Sequence, residues 1–185
     1  MVGLQKKLRG GTLGPRCRVG GEVEASILHG HANKYHDGFL GHSYIGEWVN
    51  LAAGTQVSDL RVDYQPVTVT VAGRKVATGL TKVGAFLGDH TKTGINTLVN
   101  TGTVAGAFCQ LFPSNLLPPR VVPSFCTFAR GQLQGAEDPG PLLATAALAM
   151  RRRGRELTDA HADFFRRLHG QTALQRAQAL RKDEG

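Results

Sequence analysis

The sequence predicts an all-β protein, a three-sided parallel β-helix that is followed by an α-helical tail. The main observation is a six-residue repeat of aliphatic or small residues in three blocks of the chain. An α-helix, with about 3.6 residues per turn, does not give this spacing, and neither does a flat strand with its period of two. A coil with three short sides does, because each side takes six residues and the repeated residue points inward. The repeat positions are Leu13, Val19 and Ala25, then Ile45, Leu51 and Val57, and finally Leu87, Thr93, Val99, Ala105, Leu111 and Leu117.

Composition is the second observation that supports this fold. The chain has 185 residues, of which 24 are glycine and only 6% are aromatic. A narrow aliphatic interior has little room for rings, and glycine lets the backbone turn a tight corner. This length is enough to bury one core, so we expect one folded domain and a tail.

The predicted domain boundaries follow the repeat. We expect an N-terminal segment over residues 1–11, a β-helix domain over 12–130 and a helical extension over 139–185. The repeat stops at 30–39, which is too polar to fill the inside of a prism. It stops again at 58–82, where alternating valines and threonines over 67–71, a Gly-containing turn and a second strand predict a projecting β-hairpin.

The third observation is a change to Ala, Leu and Arg after residue 139. Pro141 to Arg152 predicts one helix with Gly154 as its stop, and Thr158 is expected to cap a second helix that runs to about Lys182. Apolar residues along both helices are expected to pack on the coil or on a neighbouring chain. They are Leu142, Ala146, Ala149, Phe164, Phe165, Leu168 and Leu174.

The cysteines and the hydropathy pattern predict the compartment. Cys17, Cys109 and Cys126 are odd in number and lack CxxC spacing, so we interpret them as unpaired thiols in a reducing cytoplasm. No apolar run approaches the roughly 20 residues that span a bilayer, and no secretion signal opens the chain. We therefore expect a cytoplasmic protein that does not enter a membrane.

The charge favours small anionic ligands over nucleic acid. The formal net charge is +8, and residues 1–134 carry 13 Lys and Arg against 7 Asp and Glu, so the basic excess lies mainly in the coil. Nucleic-acid binding calls for a Lys and Arg face with interleaved aromatics, which the sequence lacks. A dispersed excess suits phosphorylated small molecules better.

Four histidines lie close together, namely His29, His31, His36 and His42. Their spacings, with only Asp37 nearby, match no familiar metal-ligand pattern, so we expect no metal. His36 is the better candidate for catalysis, because it lies in the polar stretch 33–38 that breaks the apolar repeat. Residues that break a regular pattern are often functional.

One stretch of the chain resembles a known enzyme family. Residues 36–55 read HDGFLGHSYIGEWVNLAAGT. They resemble the pattern H-x-x-Y-L-G-x-x-x-I-G-x-x-V-N-I-G-A-G-T of the acetyltransferase half of bifunctional glucosamine-1-phosphate acetyltransferase/N-acetylglucosamine-1-phosphate uridylyltransferases. Residues 60–96 are similar to archaeal sugar-1-phosphate nucleotidylyl/acetyltransferases. The resemblance covers about residues 8–125.

The resemblance implies a left-handed β-helix of the hexapeptide-repeat type that forms a homotrimer with active sites between neighbouring prisms. It implies acetyl-CoA as the donor and an amino sugar phosphate, glucosamine-1-phosphate by default, as the acceptor. This reaction belongs to nucleotide-sugar and cell-envelope biosynthesis.

The resemblance also assigns site residues. His36 matches the general base, which takes a proton from the glucosamine ammonium group before the nitrogen attacks the thioester. Asn50 matches the substrate-orienting asparagine, and Arg9 matches an arginine that holds the sugar phosphate. Ala53, Asp89 and Ala107 match positions that line the CoA groove, and Arg120 lies near a residue that meets a CoA phosphate.

Some family positions differ in this chain. The family tyrosine three residues after the base is Phe39, and an asparagine near both substrates is Asp59. Family lysines are also replaced, so an acceptor phosphate would depend on Arg9, Lys34 or Arg61, or on Lys75 of the insert. The Gly-rich nucleotide loop of the uridylyltransferase half does not occur. Two arrangements are then open: a sugar nucleotidyltransferase that lies upstream or acts in trans, or a stand-alone acyltransferase.

Two alternatives stay open at this stage. The coil could be a non-catalytic module that trimerises or regulates a nucleotidyltransferase, as the replaced lysines suggest. It could also be a hexapeptide-repeat protein of the carbonic-anhydrase type, which binds zinc through histidines of two neighbouring chains. His31 and His36 have the H-x4-H spacing of one such ligand pair, but the GAGT-like context favours the acetyltransferase family.

Overall fold

A computed structural model of the chain describes residues 7–183. It confirms a left-handed parallel β-helix with a projecting hairpin and a C-terminal part made of three helices. In chain order the strands are β1 (Lys7–Arg9), β2 (Thr12–Leu13), β3 (Arg18–Val19), β4 (Glu22–Glu24), β5 (Ile27–Leu28), β6 (Asn33–Lys34), β7 (Phe39–Gly41), β8 (Tyr44–Ile45), β9 (Gln56–Val57), β10 (Thr68–Val71), β11 (Arg74–Ala77), β12 (Phe86–Leu87), β13 (Lys92–Thr93), β14 (Leu98–Val99), β15 (Val104–Ala105), β16 (Gln110–Leu111), β17 (Val121–Val122), β18 (Cys126–Ala129) and β19 (Gln132–Gly135). The helices are α1 (Gly140–Arg151), α2 (Asp159–Gln171) and α3 (Ala173–Asp183).

The strands form the three faces of a prism. Face A has the order β1-β4-β7-β9-β14, and face B has the order β2-β5-β8-β12-β15-β17. Face C runs from β3 and β6, through bridges at Asn50, to β13-β16-β18 and closes with the antiparallel β19. The first corner joins face A to face B, as at residues 42–43. The second joins B to C, as at 47–49, and the third joins C to A, as at 36–38.

The repeated residues of the central coils point inward as predicted. All the repeat positions between Ile45 and Leu111 are buried, with at most 7% of their surface exposed. Three positions outside this stretch differ. Leu13 is 43% exposed because it lies in β2, at the end of face B. Leu117 is 47% exposed because the chain leaves the coil between β16 and β17.

Ala25 is the third exception, and the length of the first coil explains it. β1 pairs with β4 only fifteen residues further on, so Val23, rather than Ala25, faces the interior. Ala25 lies at the first corner, where it is exposed and has a φ of 44°.

The predicted interruption at residues 30–39 is wrong, because this stretch forms part of a regular coil. Asn33 and Lys34 make up β6 on face C, and Lys34 occupies the inward column between Val19 and Leu51. Polarity suggested an excursion, but a lysine fits inside because its ammonium group finds backbone carbonyls there. Nζ donates to the carbonyl of His36 at 2.6 Å and reaches that of Gly20 at 3.5 Å.

The hairpin of the insert is present at β10 and β11. Its turn residues, Ala72 and Gly73, have φ values of 49° and 77°, as a two-residue turn that follows the strand twist requires. Val67 and Val69 pack against Val83 over face B, with Phe86 and Val104 beside them. The first strand of the hairpin therefore packs on the coil, while β11 is exposed along its whole length.

Rings stack along the second corner. One residue of each coil takes a left-handed conformation there, with φ between 58° and 63°, and most of these residues are aromatic. We call this column the ring ladder; it consists of His31, Trp48, His90, Phe108 and Phe125, with Arg16 below them. Successive rings are nearly parallel, within 20°, at centroid distances of 4.0, 6.3, 4.7 and 5.2 Å. The six-residue repeat marks inward positions only, so it does not reveal this corner column.

The helical tail packs on the upper part of the ring ladder. Leu143 and Ala146 of α1 and Phe165 of α2 form a buried cluster with Phe108 and Phe125. Arg176 of α3 places its guanidinium 5.7 Å from the centre of the Phe125 ring. The predicted packing of the tail's apolar residues on the coil is confirmed for Ala146 and Phe165. Phe164 and Leu174, in contrast, are exposed.

The single helix predicted after Thr158 is in fact two helices, α2 and α3. Thr158 caps α2 by accepting a hydrogen bond from the His161 amide, as expected, but α2 ends at Gln171 and α3 begins after Thr172. The Thr172 hydroxyl donates to the Leu168 carbonyl and accepts from Arg176, which directs α3 back towards β19. Among residues 7–183, no helix has the length and apolarity that a bilayer crossing requires.

We expect His90 to make folding sensitive to acid. Its imidazole is only 5% exposed, and burial lowers its pKa to about 3, with a smaller contribution from Lys92. The unfolded chain takes up this proton near pH 6.5, so stability should fall, by up to a few kcal/mol, as the pH drops from about 6.5 towards 3. Thermal unfolding followed by circular dichroism between pH 7 and pH 4 should show this loss.

The variant His90→Phe should remove much of this sensitivity while keeping a ring in the ladder. The same change at the half-buried His29 is a matched control and should leave the acid response as in wild type. Parallel losses of stability in wild type and His90→Phe would contradict the assignment.

Candidate active site

The third corner carries several of the residues that the motif singles out. His36 lies at this corner and is exposed, and Ala53 lies at the same corner one coil further on. The two coils are linked there by a hydrogen bond of 2.9 Å from the Gly54 amide to the Asp37 carbonyl. Asn50 precedes this corner on face C, where its Oδ1 accepts from Asn33 Nδ2 at 2.7 Å. Parallel register therefore places His36, Asn50 and Ala53 on adjacent coils around one edge.

Face A continues from this edge and carries most of the predicted substrate-binding residues. The Phe39 ring is half-buried on its outer surface, and the exposed Arg9 lies in β1 beside Glu24 of β4. A Cβ atom on Gly41 would lie 2.5 Å from Phe39 Cζ and 2.3 Å from Asp59 Oδ2. Glycine is required at this position, because it leaves the space that the ring tip and the carboxylate share.

The Asp59 carboxylate is already engaged within the chain. Its Oδ2 lies 2.7 Å from Nδ1 of His42, at the first corner. The motif assigns no role to His42. The coil length is a signal for this pairing. Leu40 of β7 pairs with Val57 of β9, seventeen residues further along the chain, and Asp59 likewise lies seventeen residues after His42.

Arg61 is also engaged within the chain. Its guanidinium makes a two-pronged contact with the Asp63 carboxylate, including a 2.8 Å bond from Nε to Oδ1. This contact raises the pKa of Arg61 and holds the pKa of Asp63 well below its usual range. A phosphate would have to compete with Asp63 for this cation.

Lys34 is turned away from any surface site. It is 1% exposed, and its stem lies inside the prism. Burial lowers the pKa of its ammonium group. The prediction that Lys34 contacts a substrate phosphate is wrong for this arrangement, because the amine faces the interior carbonyls and not the solvent.

The residues predicted to line a CoA groove are divided between two corners. Asp89 lies at the second corner, where its Oδ1 accepts from the Glu47 amide at 2.7 Å. Ala107 also lies there and packs against the cluster beneath α1 and α2. Ala53 is at the third corner, and the exposed Arg120 directly precedes β17 on face B.

A cavity of about 590 Å³ is lined in part by Pro119 and Val121, the two chain neighbours of Arg120. Its walls come from the hairpin, from face B and from α3, which contribute Lys75, Val104, Pro119, Val121 and Gln178 among others. It combines an apolar floor with one cation and two glutamine side chains, Gln175 and Gln178. Such a cavity can accept a mainly apolar chain that ends in a polar or anionic group.

The four histidines do not converge. His29 and His31 belong to the second corner, His36 to the third and His42 to the first. Within residues 7–183, no three His, Cys, Asp or Glu side chains come together as metal ligands would.

Comparison with known proteins confirms the resemblance seen in the motif. No family profile matches the chain. The chain is 38% identical over 92 residues to a "bifunctional sugar-1-phosphate nucleotidylyltransferase/acetyltransferase" of Sulfurisphaera tokodaii, which covers 50% of this chain and 23% of that protein. It is 31% identical over 112 residues to the "bifunctional protein GlmU" of Methanocaldococcus jannaschii, which covers 60% and 27%. An Escherichia coli protein named as the uncharacterized acetyltransferase YaiX is 26% identical over 101 residues, which cover 55% of this chain and 41% of that protein. The match thus spans about a quarter of the length of the two archaeal relatives.

We expect Lys34 to contribute to stability through its stem. Lys34→Ala should lower the free energy of unfolding by roughly 2–4 kcal/mol, because it leaves a void in the inward column. Lys34→Met should cost less, since it keeps the volume and removes a buried charge. Urea unfolding measures both variants. A loss in Lys34→Met as large as in Lys34→Ala would show that the bonds to the carbonyls, and not the packing, hold this coil.

Proposed function

We propose that this chain transfers an acetyl group from acetyl-CoA to the amino group of a sugar phosphate such as glucosamine-1-phosphate. The observation that carries the proposal is the placement of His36, Asn50 and Ala53 on adjacent coils around the third corner, beside the Phe39 surface. The similarity to relatives named as acetyltransferases supports the same reaction class.

The chemistry requires an imidazole near the acceptor nitrogen. At neutral pH the amine is an ammonium ion without a lone pair, so a base must first remove a proton. The nitrogen then attacks the thioester carbonyl, the C–N bond forms, and the C–S bond breaks as CoA leaves. His36 suits the first step because its ring is exposed, while Lys34 anchors its backbone carbonyl from inside the coil.

Few of the candidate cations in this chain are free to bind the acceptor phosphate. Arg9 is exposed on face A, whereas Arg61 is held by Asp63 and Lys34 is buried. Phe39 keeps a ring for the sugar to pack on but cannot donate a hydrogen bond. We therefore propose that the acceptor binds weakly through its phosphate, and that Arg9 supplies the main contact.

The donor has a candidate place beside Arg120. The cavity between the hairpin and α3 can take the pantetheine arm, and Lys75 in its wall can meet a CoA phosphate. The exposed Arg120, which lies between the lining residues Pro119 and Val121, is the second candidate cation. This location differs from the groove implied by Asp89 and Ala107, since Ala107 lies beneath the tail.

A homotrimer would account for the distribution of these residues. In one chain the candidate acceptor residues lie on face A and at the third corner, whereas the candidate donor cavity lies over face B, between the hairpin and α3. A neighbouring prism can bring its donor cavity against the acceptor residues, so we propose that each active site uses two chains.

A second function has its own support. The substrate contacts are weakened at three positions: Lys34 is buried, Arg61 is paired with Asp63, and Phe39 has no hydroxyl group. These features favour a non-catalytic module that associates with a sugar nucleotidyltransferase. The names of the bifunctional relatives and the short matched region are compatible with such a partner. Release of CoA from acetyl-CoA, followed with a thiol reagent, separates the enzyme from the module.

We predict that His36→Ala lowers turnover by roughly 10²–10⁴, the usual contribution of one positioned base. The affinity for acetyl-CoA should stay near that of wild type, because the base contacts only the acceptor. Steady-state kinetics and calorimetric titration measure the two quantities. His29→Ala is the matched control. If His36→Ala turns over normally, the base lies elsewhere.

We predict a trimer at micromolar concentration. Sedimentation equilibrium should give about three times the chain mass of 19.8 kDa. A monomer at that concentration would exclude active sites shared between chains, although it would leave the fold as described.

A further inference from the structure

The pair formed by His42 and Asp59 has the geometry of a positioned acid–base group. The Asp59 residue is 6% exposed, and its Oδ2 is 2.7 Å from His42 Nδ1. An ionised carboxylate only accepts hydrogen bonds, so the hydrogen of this bond lies on Nδ1. In the neutral ring, Nε2 then carries a lone pair and can take up a proton.

Both partners are held in place by the coil. The backbone of His42 donates to the Glu24 carbonyl at 2.9 Å and accepts from the Gly84 amide at 2.9 Å, which fixes it between neighbouring segments. Asp59 fits against Gly41, where no side chain larger than hydrogen has room. The ring of His42 is still 25% exposed, so the pair is rigid and open to a ligand.

The pair also borders the surface already assigned to the acceptor. The Phe39 ring tip and the Asp59 carboxylate share the space that a side chain on Gly41 would fill, and the β7 strand runs from the His36 corner to the His42 corner. An acceptor that rests on Phe39 would therefore have His36 beyond one end of β7 and His42 beyond the other.

We propose that His42 is a second acid–base residue of the acetyl transfer and that Asp59 is its positioning residue. This inference rests on the proposed function. An ammonium group loses two protons on its way to an amide, the first before the nitrogen attacks and the second after the C–N bond has formed. A second imidazole beside the acceptor surface can take the later proton without waiting for His36 to release the first one.

His36 removes the first proton and passes it to solvent, which frees the nitrogen lone pair for attack on the thioester carbonyl. Nε2 of His42 takes the second proton from the nitrogen of the tetrahedral intermediate. As the C–S bond breaks, the same imidazolium returns this proton to the sulfur, so the products are the amide and CoA thiol. Asp59 stabilises the imidazolium meanwhile.

The test uses the full chain, acetyl-CoA and glucosamine-1-phosphate. His42→Asn keeps an N–H donor for Asp59 but has no equivalent of Nε2, and Asp59→Asn removes the charge that stabilises the imidazolium. We expect both variants to lose roughly 10²–10⁴ in kcat while their melting temperatures stay close to that of wild type. His29→Ala, which alters a histidine at another corner, should keep full turnover.

Turnover of His42→Asn or Asp59→Asn within about threefold of wild type would overturn the proposal, since a positioned base contributes far more. If one of them unfolds, the other decides. ¹⁵N NMR of the histidine rings shows which nitrogen of the neutral ring carries the hydrogen, and this measurement does not depend on activity. We expect the hydrogen on His42 Nδ1. Finding it on Nε2 would also overturn the proposal. A wild-type chain that releases no CoA with any amino sugar phosphate would instead refute the proposed function, and this inference with it.

Discussion

The stacking of one coil directly on the next is the constraint from which the rest of the structure follows. Parallel pairing keeps equivalent residues in register, as between Ile45 and Leu87 on face B, so every column of the prism holds one kind of environment. At the second corner this forces a left-handed backbone on side chains that do not favour it, at a cost of about 1–2 kcal/mol each. The stacked rings of His31, Trp48, His90, Phe108 and Phe125 offset that cost, and Phe108 and Phe125 give the helical tail its docking surface.

The fold could be predicted from the sequence because its strongest determinant is periodic. Residues such as Leu51 and Val57 return every six positions, and only a three-sided coil meets that spacing. Errors arose where the coil length departs from eighteen residues, as at Ala25, and where polarity was equated with exposure, as at Lys34. Neither could be read from periodicity, because the first depends on the pairing register and the second on backbone carbonyls inside the prism.

The site was less accessible to sequence reasoning than the fold. The motif identified residues around the third corner and on face A, but it gave no information on their partners. Asp59 was interpreted as a substituted ligand, whereas its carboxylate is bound to His42; Arg61 was interpreted as a free cation, whereas Asp63 holds it. Each of these pairings is set by distances across coils or within a loop, and such distances become known only once the register is fixed.

The insert shows how tolerant this architecture is. Between β9 and β12 the chain leaves the first corner for almost thirty residues, yet it returns so that Phe86 lies beside Tyr44 of the coil that preceded the excursion. The entropy of closing such a loop grows only slowly with its length, so the coils are nearly indifferent to how much chain is inserted between them. A corner of this kind can therefore accept new recognition elements, which can be gained, exchanged or shortened there. The framework that supports them is inherited unchanged.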